Sequence, residues 1–142
     1  MDYKIIVLDL DGTLTNRDKI ITPRTRDALM EAQEAGNIVV LASGRPTPGV
    51  EPLARELEMD RFGSYILSYN GGMITNCKTG ETVFSSLLPL EANGKIIGLA
   101  KEHRVDILTY EGEEVITNNR ECPYAISESN INHLPLRQVD DM

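Results

Sequence analysis

The sequence predicts an α/β fold, with a parallel-sheet core in the N-terminal half and an incomplete α+β module after it. Three observations carry this expectation. Short, continuous apolar runs at residues 3–8, 38–42 and 64–68 suit strands buried on both faces of a parallel sheet. Helical patterns separate the runs, and each run ends in a polar motif with glycine: Asp9-Leu10-Asp11-Gly12, Ser43-Gly44-Arg45 and Asn70-Gly71-Gly72.

Taken in order, Tyr3 to Leu8 reads as the first strand, followed by a turn-rich stretch from Gly12 to Ile21. Thr22-Pro23 reads as an N-cap with proline at the first helical position, and the helix passes through Ala28, Leu29, Ala32 and Ala35 to stop at Gly36. Ile38 to Ala42 is the second strand, a helix is expected around Val50 to Met59, and Ser64 to Ser68 is the third strand. Strand, helix, strand, helix, strand is the doubly wound, Rossmann-like pattern, in which ligands bind outside the carboxyl ends of the strands. All three polar motifs are expected there.

Beyond Gly72 the character changes, so the core is read as residues 1–72 and the second module as 73–142. Met73 to Asn76 and Thr82 to Ser85 flank the turn Lys78-Thr79-Gly80 and predict a hairpin. A helix is expected from Glu91 to His103, weakened by Gly94 and Gly98. Val105 to Tyr110 and Glu114 to Thr117 bracket Glu111-Gly112 as a second hairpin, with Ala125 to Ile131 helical and Leu134 to Val139 extended.

Composition bounds the function. The 142 residues are 41% hydrophobic, enough for one core of moderate size. A net charge of −8 and a pI near 4.7, with no basic stripe, argue against a nucleic-acid partner, which needs clustered Lys and Arg. Nothing approaches the roughly 20 apolar residues of a membrane span, and a cytoplasmic location is the default expectation. Cys77 and Cys122 form no Cys-x-x-Cys pair and read as free thiols. His103 and His133 read as surface or satisfied residues rather than ligands.

Two carboxylates one residue apart, leaving a strand into a glycine turn, suit a phosphoryl-transfer nucleophile beside its acid/base partner: Asp9 to attack phosphorus, Asp11 to handle the leaving-group proton. A calcium loop is excluded by register, because the glycine comes too early and Ile20 stands where the bidentate Glu belongs.

Together the three motifs resemble the haloacid dehalogenase-like phosphatases, in the Cof-like branch whose large α/β cap is inserted after the third core strand. The resemblance extends over the whole chain, with Tyr124 to Asp141 similar to the middle of such a cap. It implies Mg²⁺-dependent hydrolysis of a phosphate monoester through an aspartyl-phosphate intermediate. Asp9 matches the nucleophile and gives one oxygen to the metal, while Asp11 matches the general acid/base and gives its backbone carbonyl. Two carboxylates held close cannot both ionise freely, so one of them is expected to keep a proton. Gly12 is expected to turn amides toward the phosphoryl oxygens and Thr13 to add a hydroxyl. Ser43 matches the strand-end hydroxyl that bonds the transferring group, with Gly44 opening an amide-lined loop. Arg45 and Asn70 are the expected substrate contacts.

The sequence departs from the family in two respects. A lysine after a later core strand, and an acidic motif with glycine that completes the metal site, are not found. Lys78 falls in a turn, Lys95 and Lys101 on a helix, and Asp140-Asp141 lacks the glycine and the preceding strand. The chain is therefore expected to be the N-terminal part of a longer phosphatase acting on a small phosphorylated metabolite, such as a sugar phosphate. Its first strand is expected to present an unpaired apolar edge that invites self-association. The alternatives are a catalytically inert phosphate-binding or regulatory protein and a phosphomutase of the same superfamily. A phospho-accepting signalling domain is disfavoured because Tyr69-Asn70 stands where its aspartate would end the third strand.

Overall fold

The computed structural model describes residues 4–140 and 142, so Tyr3 and Asp141 lie outside the described residues. The chain divides into two compact units, residues 1–86 and 87–142. Each is described by itself.

The first unit is built on a five-stranded sheet in the order β1-β2-β3-β4-β5. Strands β1 (Ile5–Asp9), β2 (Ile38–Ala42) and β3 (Tyr65–Ser68) run parallel, with Asp9 opposite Ala42 and Ala42 opposite Leu67. The three polar motifs therefore leave the sheet at one end, side by side. β4 (Met73–Asn76) returns antiparallel to β3, and β5 (Thr82–Ser85) pairs with β4. The hairpin expected in the second module thus belongs to the core sheet, and the units divide after Ser86 instead of after residue 72. The physical reason is the tight reversal at Tyr69–Gly72, which folds β4 straight back onto β3.

Helix α1 (Pro23–Glu34) starts as the sequence indicates, with the Thr22 hydroxyl accepting the Thr25 amide and proline in the first turn. Helix α2 (Thr47–Glu56) ends earlier than expected because Glu58 takes a left-handed conformation, and α3 (Met59–Phe62) follows as a single short turn. The core unites Leu29 of α1, Val50 and Ala54 of α2, and Leu57 and Met59 with Val39, Leu41 and Ile66 of the sheet, and Ile6 and Leu8 pack against it. A buried polar network ties these layers. Ser64 Oγ donates to Gln33 Oε1 and accepts the Val39 amide, and Gln33 Nε2 donates to the Leu57 carbonyl.

Both long helices of this unit pack on the Val39–Leu41 face. Chain order explains it: β1, β2 and β3 progress across the sheet in one direction, so right-handed crossovers place both helices on the same side. The opposite face carries Ile5 and Val7, which are 58% and 61% exposed. The first strand is therefore not buried on both faces, since it lies at the sheet's end and pairs with β2 alone among the described residues.

The second unit holds α4 (Leu90–His103), the antiparallel pair β6 (Leu108–Glu111) and β7 (Glu114–Thr117), α5 (Pro123–Asn132), and β8 (Leu136–Gln138) parallel to β7. Its buried residues include Val115, Thr117, Ala125 and Leu134. Arg137 of β8 bonds Glu114 at 2.7 Å and also Glu111, across one face of the small sheet. Lys95 and Lys101 lie on α4, and Lys78 lies in the β4–β5 turn.

Candidate active site

The site is built where β1 runs into its loop. The Leu14 amide returns to the Asp9 carbonyl at 3.1 Å, while the Thr15 amide and hydroxyl both return to the Leu10 carbonyl, at 2.9 and 3.0 Å. Leu10, Leu14 and Thr15 are buried by this fold-back, which leaves Asp9, Asp11, Gly12 and Thr13 exposed at the strand end. Gly12 sits at φ 84°, a left-handed conformation that a side chain resists. Its amide donates to the Thr15 carbonyl and the Thr13 amide to Leu10, so the loop consumes both. The expectation that these amides face an anion is corrected accordingly. What remains for a ligand is the exposed Thr13 hydroxyl.

The neighbouring loops are locked to one another. The Ser43 amide donates to the Leu67 carbonyl, the Asn70 amide to Ser43 and the Tyr69 amide to Arg45. Below them, the hydroxyls of Thr47 and Ser68 meet at 2.7 Å, joining the start of α2 to the end of β3. Ser43 Oγ accepts the Arg45 amide at 3.2 Å, and its hydroxyl hydrogen stays available to donate to an anion. Gly44 is required for close approach: a Cβ there would stand 2.9 Å from Asn70 Oδ1. Tyr69 and Asn70 both have positive φ, a strain of about 1–3 kcal/mol each that brings the Asn70 side chain against the second loop.

Arg45 does not extend freely toward a substrate. Its side chain, 10% exposed, grips Asp11 with Nη2–Oδ1 at 2.7 Å and Nε–Oδ2 at 3.3 Å. Lys19 reaches the same Oδ1, with Nζ at 2.7 Å. Burial pushes the Asp11 carboxyl up, but hydrogen bonds from Arg45 and Lys19 and the charges of both outweigh it, leaving it below the ordinary value of 3.8. Crowding by Asp9 is expected from the sequence to leave one carboxyl protonated; at Asp11 the contacts that act are instead those of two cations, Lys19 and Arg45, on Oδ1.

Sequence reasoning misses Lys19, which is one polar residue among several in a turn-rich stretch. It rides a turn built by Asn16, whose side-chain oxygen accepts the amides of Asp18 and Ile20. At φ 61°, Lys19 carries a left-handed backbone that costs about 1–2 kcal/mol for a residue with a Cβ. An exposed ion pair returns only about 0–1 kcal/mol, so stability does not account for a lysine at this position.

A hard cation would find two oxygen donors here. The Asp9 carboxylate is exposed, with no salt bridge among the described residues, and the Asp11 carbonyl is taken by none of the loop amides described above. These fit Mg²⁺, which binds through one or two carboxylates and keeps several waters. Among the described residues no group of three or more His, Cys, Asp or Glu side chains could hold a metal. The structure thus assembles Asp9, Asp11, Thr13, Ser43, Gly44, Arg45 and Asn70 at one end of one sheet, and adds Lys19 to them. No helix among the described residues is long and apolar enough to cross a membrane.

Comparison with known proteins bears on this arrangement. Residues 6–141 match the family described as haloacid dehalogenase-like hydrolase. The Bacillus subtilis protein YxeH, which carries a phosphatase name, is 32% identical over 99% of this chain and 53% of its own length. The Escherichia coli pyridoxal phosphate phosphatase YbhA is 26% identical over 82% of this chain and 42% of its own length. A crystal structure of a haloacid dehalogenase-like hydrolase from Bacteroides thetaiotaomicron superimposes with a TM-score of 0.92 at 47% identity, covering 99% of this chain and 53% of that one. The chain spans about half the length of these relatives.

Proposed function

This chain belongs to the haloacid dehalogenase-like hydrolases, and on that basis we propose that the protein carrying it is a cytoplasmic, Mg²⁺-dependent phosphatase of a small phosphorylated metabolite. The observation that carries the reading is the exposed Asp9 carboxylate at the end of β1, with Asp11 two residues on, held by Arg45, and the Ser43 hydroxyl in the adjoining loop. In the first step an Asp9 oxygen attacks phosphorus, the ester P–O bond breaks, and Asp11 protonates the leaving oxygen. In the second, water attacks the aspartyl-phosphate, gives its proton to Asp11 and releases Asp9. The ionised, cation-held Asp11 is already the form the second step needs, and a phosphate dianion bound beside it favours the protonated form needed by the first. Ser43 and Thr13 would donate hydroxyls to the phosphoryl oxygens, and Asn70 would contact the substrate. Mg²⁺ on the Asp9 carboxylate and Asp11 carbonyl would supply charge neutralisation for the transferring group.

The named substrate of YbhA, and the sugar phosphate expected from the family resemblance, both fall within this class of small phosphate monoesters. The test is Asp9→Asn in the native-length protein. Release of inorganic phosphate from a panel of such esters should be abolished with the melting temperature unchanged. Persistence of turnover would remove Asp9 from the nucleophile's role. A second reading is a catalytically inert phosphate-binding protein that keeps the phosphate-recognition loops. Vanadate binding by the native-length protein without hydrolysis of any ester would establish it. We also propose that the chain by itself self-associates through β1.

A further inference from the structure

The two oxygens of Asp11 are treated differently. Among the described residues, Oδ1 receives both strong contacts, from Lys19 Nζ and Arg45 Nη2 at 2.7 Å each, whereas Oδ2 receives Arg45 Nε at 3.3 Å. Arg45 comes from the loop after β2 and Lys19 from the turn after β1, so separate segments of chain converge on one oxygen. Lys19 reaches it from a left-handed backbone that glycine or asparagine would adopt more readily.

We infer that Lys19 is a positioning residue for proton exchange: by occupying Oδ1 together with Arg45, it leaves Oδ2 as the oxygen that serves the reacting groups. This rests on the phosphatase reading above. Oδ2–H gives its proton to the ester oxygen as the P–O bond breaks and Asp9 bonds to phosphorus. Oδ2 then takes a proton from the water that displaces Asp9. Without the ammonium, the carboxylate is held by Arg45 alone, through Nη2 at 2.7 Å and Nε at 3.3 Å, and the transfer loses part of its aim. Lys19 itself need not touch the substrate.

The leaving group distinguishes this role from others. Loss of oriented protonation slows esters of poorly leaving alcohols and spares those whose leaving group departs as an anion. The value of kcat/KM reports steps only as far as alcohol release, which isolates the first half-reaction. The native-length protein should be assayed on a primary alkyl phosphate and on p-nitrophenyl phosphate, unsubstituted and as Lys19→Asn and Lys19→Arg. For Lys19→Asn, kcat/KM should fall about tenfold on the alkyl ester, a fraction of the roughly 10²–10⁴-fold that general acid catalysis supplies, and less than about twofold on the aryl ester. Lys19→Arg should retain most of the alkyl-ester activity. The melting temperature of Lys19→Asn should hold or rise, since asparagine tolerates the left-handed backbone. Equal losses on the two esters would overturn the inference and put Lys19 on the phosphoryl group; no loss on either would overturn it as well. A fall in melting temperature without rescue by arginine would make the residue structural. If the unsubstituted protein hydrolyses neither ester, the phosphatase reading falls and this inference falls with it.

Discussion

Lys19 and Arg45 both bond Oδ1 of Asp11, so what they contribute to stability depends on Asp11 being ionised. Burial alone would raise the carboxyl, and the two cations bring it below 3.8. A group whose pKa is lower folded than unfolded stabilises above its unfolded value and loses that stabilisation as pH falls through its folded value. The contribution is therefore present at neutral pH and lost below about pH 3.8. It is small, because the Asp11 side chain is 40% exposed and solvent screens the pair. Thermal melts of the protein and of Arg45→Met from pH 7 to pH 3 should show a gap in melting temperature that narrows at the acid end. A gap independent of pH would mean that Arg45 acts through packing alone. Neither contact to Asp11 is legible in the sequence. The motif marks Arg45 as a substrate contact, and nothing in the local pattern aims it at a carboxylate 34 residues earlier. Lys19 depends on a left-handed turn whose residues carry no periodic signal.

At the scale of elements, the loops that frame the site use glycine for different reasons. Gly44 is needed for space beside Asn70, whereas Gly36, at φ 85° with nothing within 4 Å of where a Cβ would stand, is needed for its backbone conformation after α1. Gly36→Ala should cost about 1 kcal/mol of stability and leave substrate affinity alone. Gly44→Ala meets only the end of one exposed side chain, so its stability cost should stay under about 1 kcal/mol, with KM for a phosphate ester raised as Asn70 is displaced. Chemical denaturation and steady-state kinetics on both variants separate the two cases, and equal destabilisation would sink the distinction. Most elements are readable because their signals are local: the Thr22-Pro23 start of α1, the apolar runs of β2 and β3, and the Lys78-Thr79-Gly80 turn. The boundary between units is not. A hairpin announces its own turn, but whether its first strand also pairs with β3 is a contact between elements, decided here by the Tyr69–Gly72 reversal. The same limit applies to β1, whose apolar run reads alike at the middle or the margin of a sheet.

For the whole molecule, the decisive property of residues 1–86 is that the strand order runs in one direction. Right-handed crossovers then spend α1 and α2 on one face and leave the other, with Ile5 and Val7, without a helix of this unit that follows from chain order. Among the described residues β1 pairs with β2 alone, so it adds an edge of unpaired backbone groups to that exposed apolar face. Water solvates the edge groups well but the side chains poorly, and this is the physical basis of the proposed self-association with a second strand and a second apolar surface. Light scattering at tens of micromolar should accordingly report a mass above the 15.8 kDa of one chain. Val7→Lys places a charge on the exposed face without touching the Val39–Leu41 side, where the core lies. It should shift the distribution toward monomer while the buried core, and hence the far-ultraviolet circular dichroism, is preserved. The physical distinction lies between an edge that recruits a copy and one that the net charge of −8 keeps apart by repulsion. Raising the salt concentration decides between them. Screening should strengthen association if apolar burial drives it against that repulsion, whereas a monodisperse, cooperatively melting monomer at both low and high salt would show that β1 is stable as an edge.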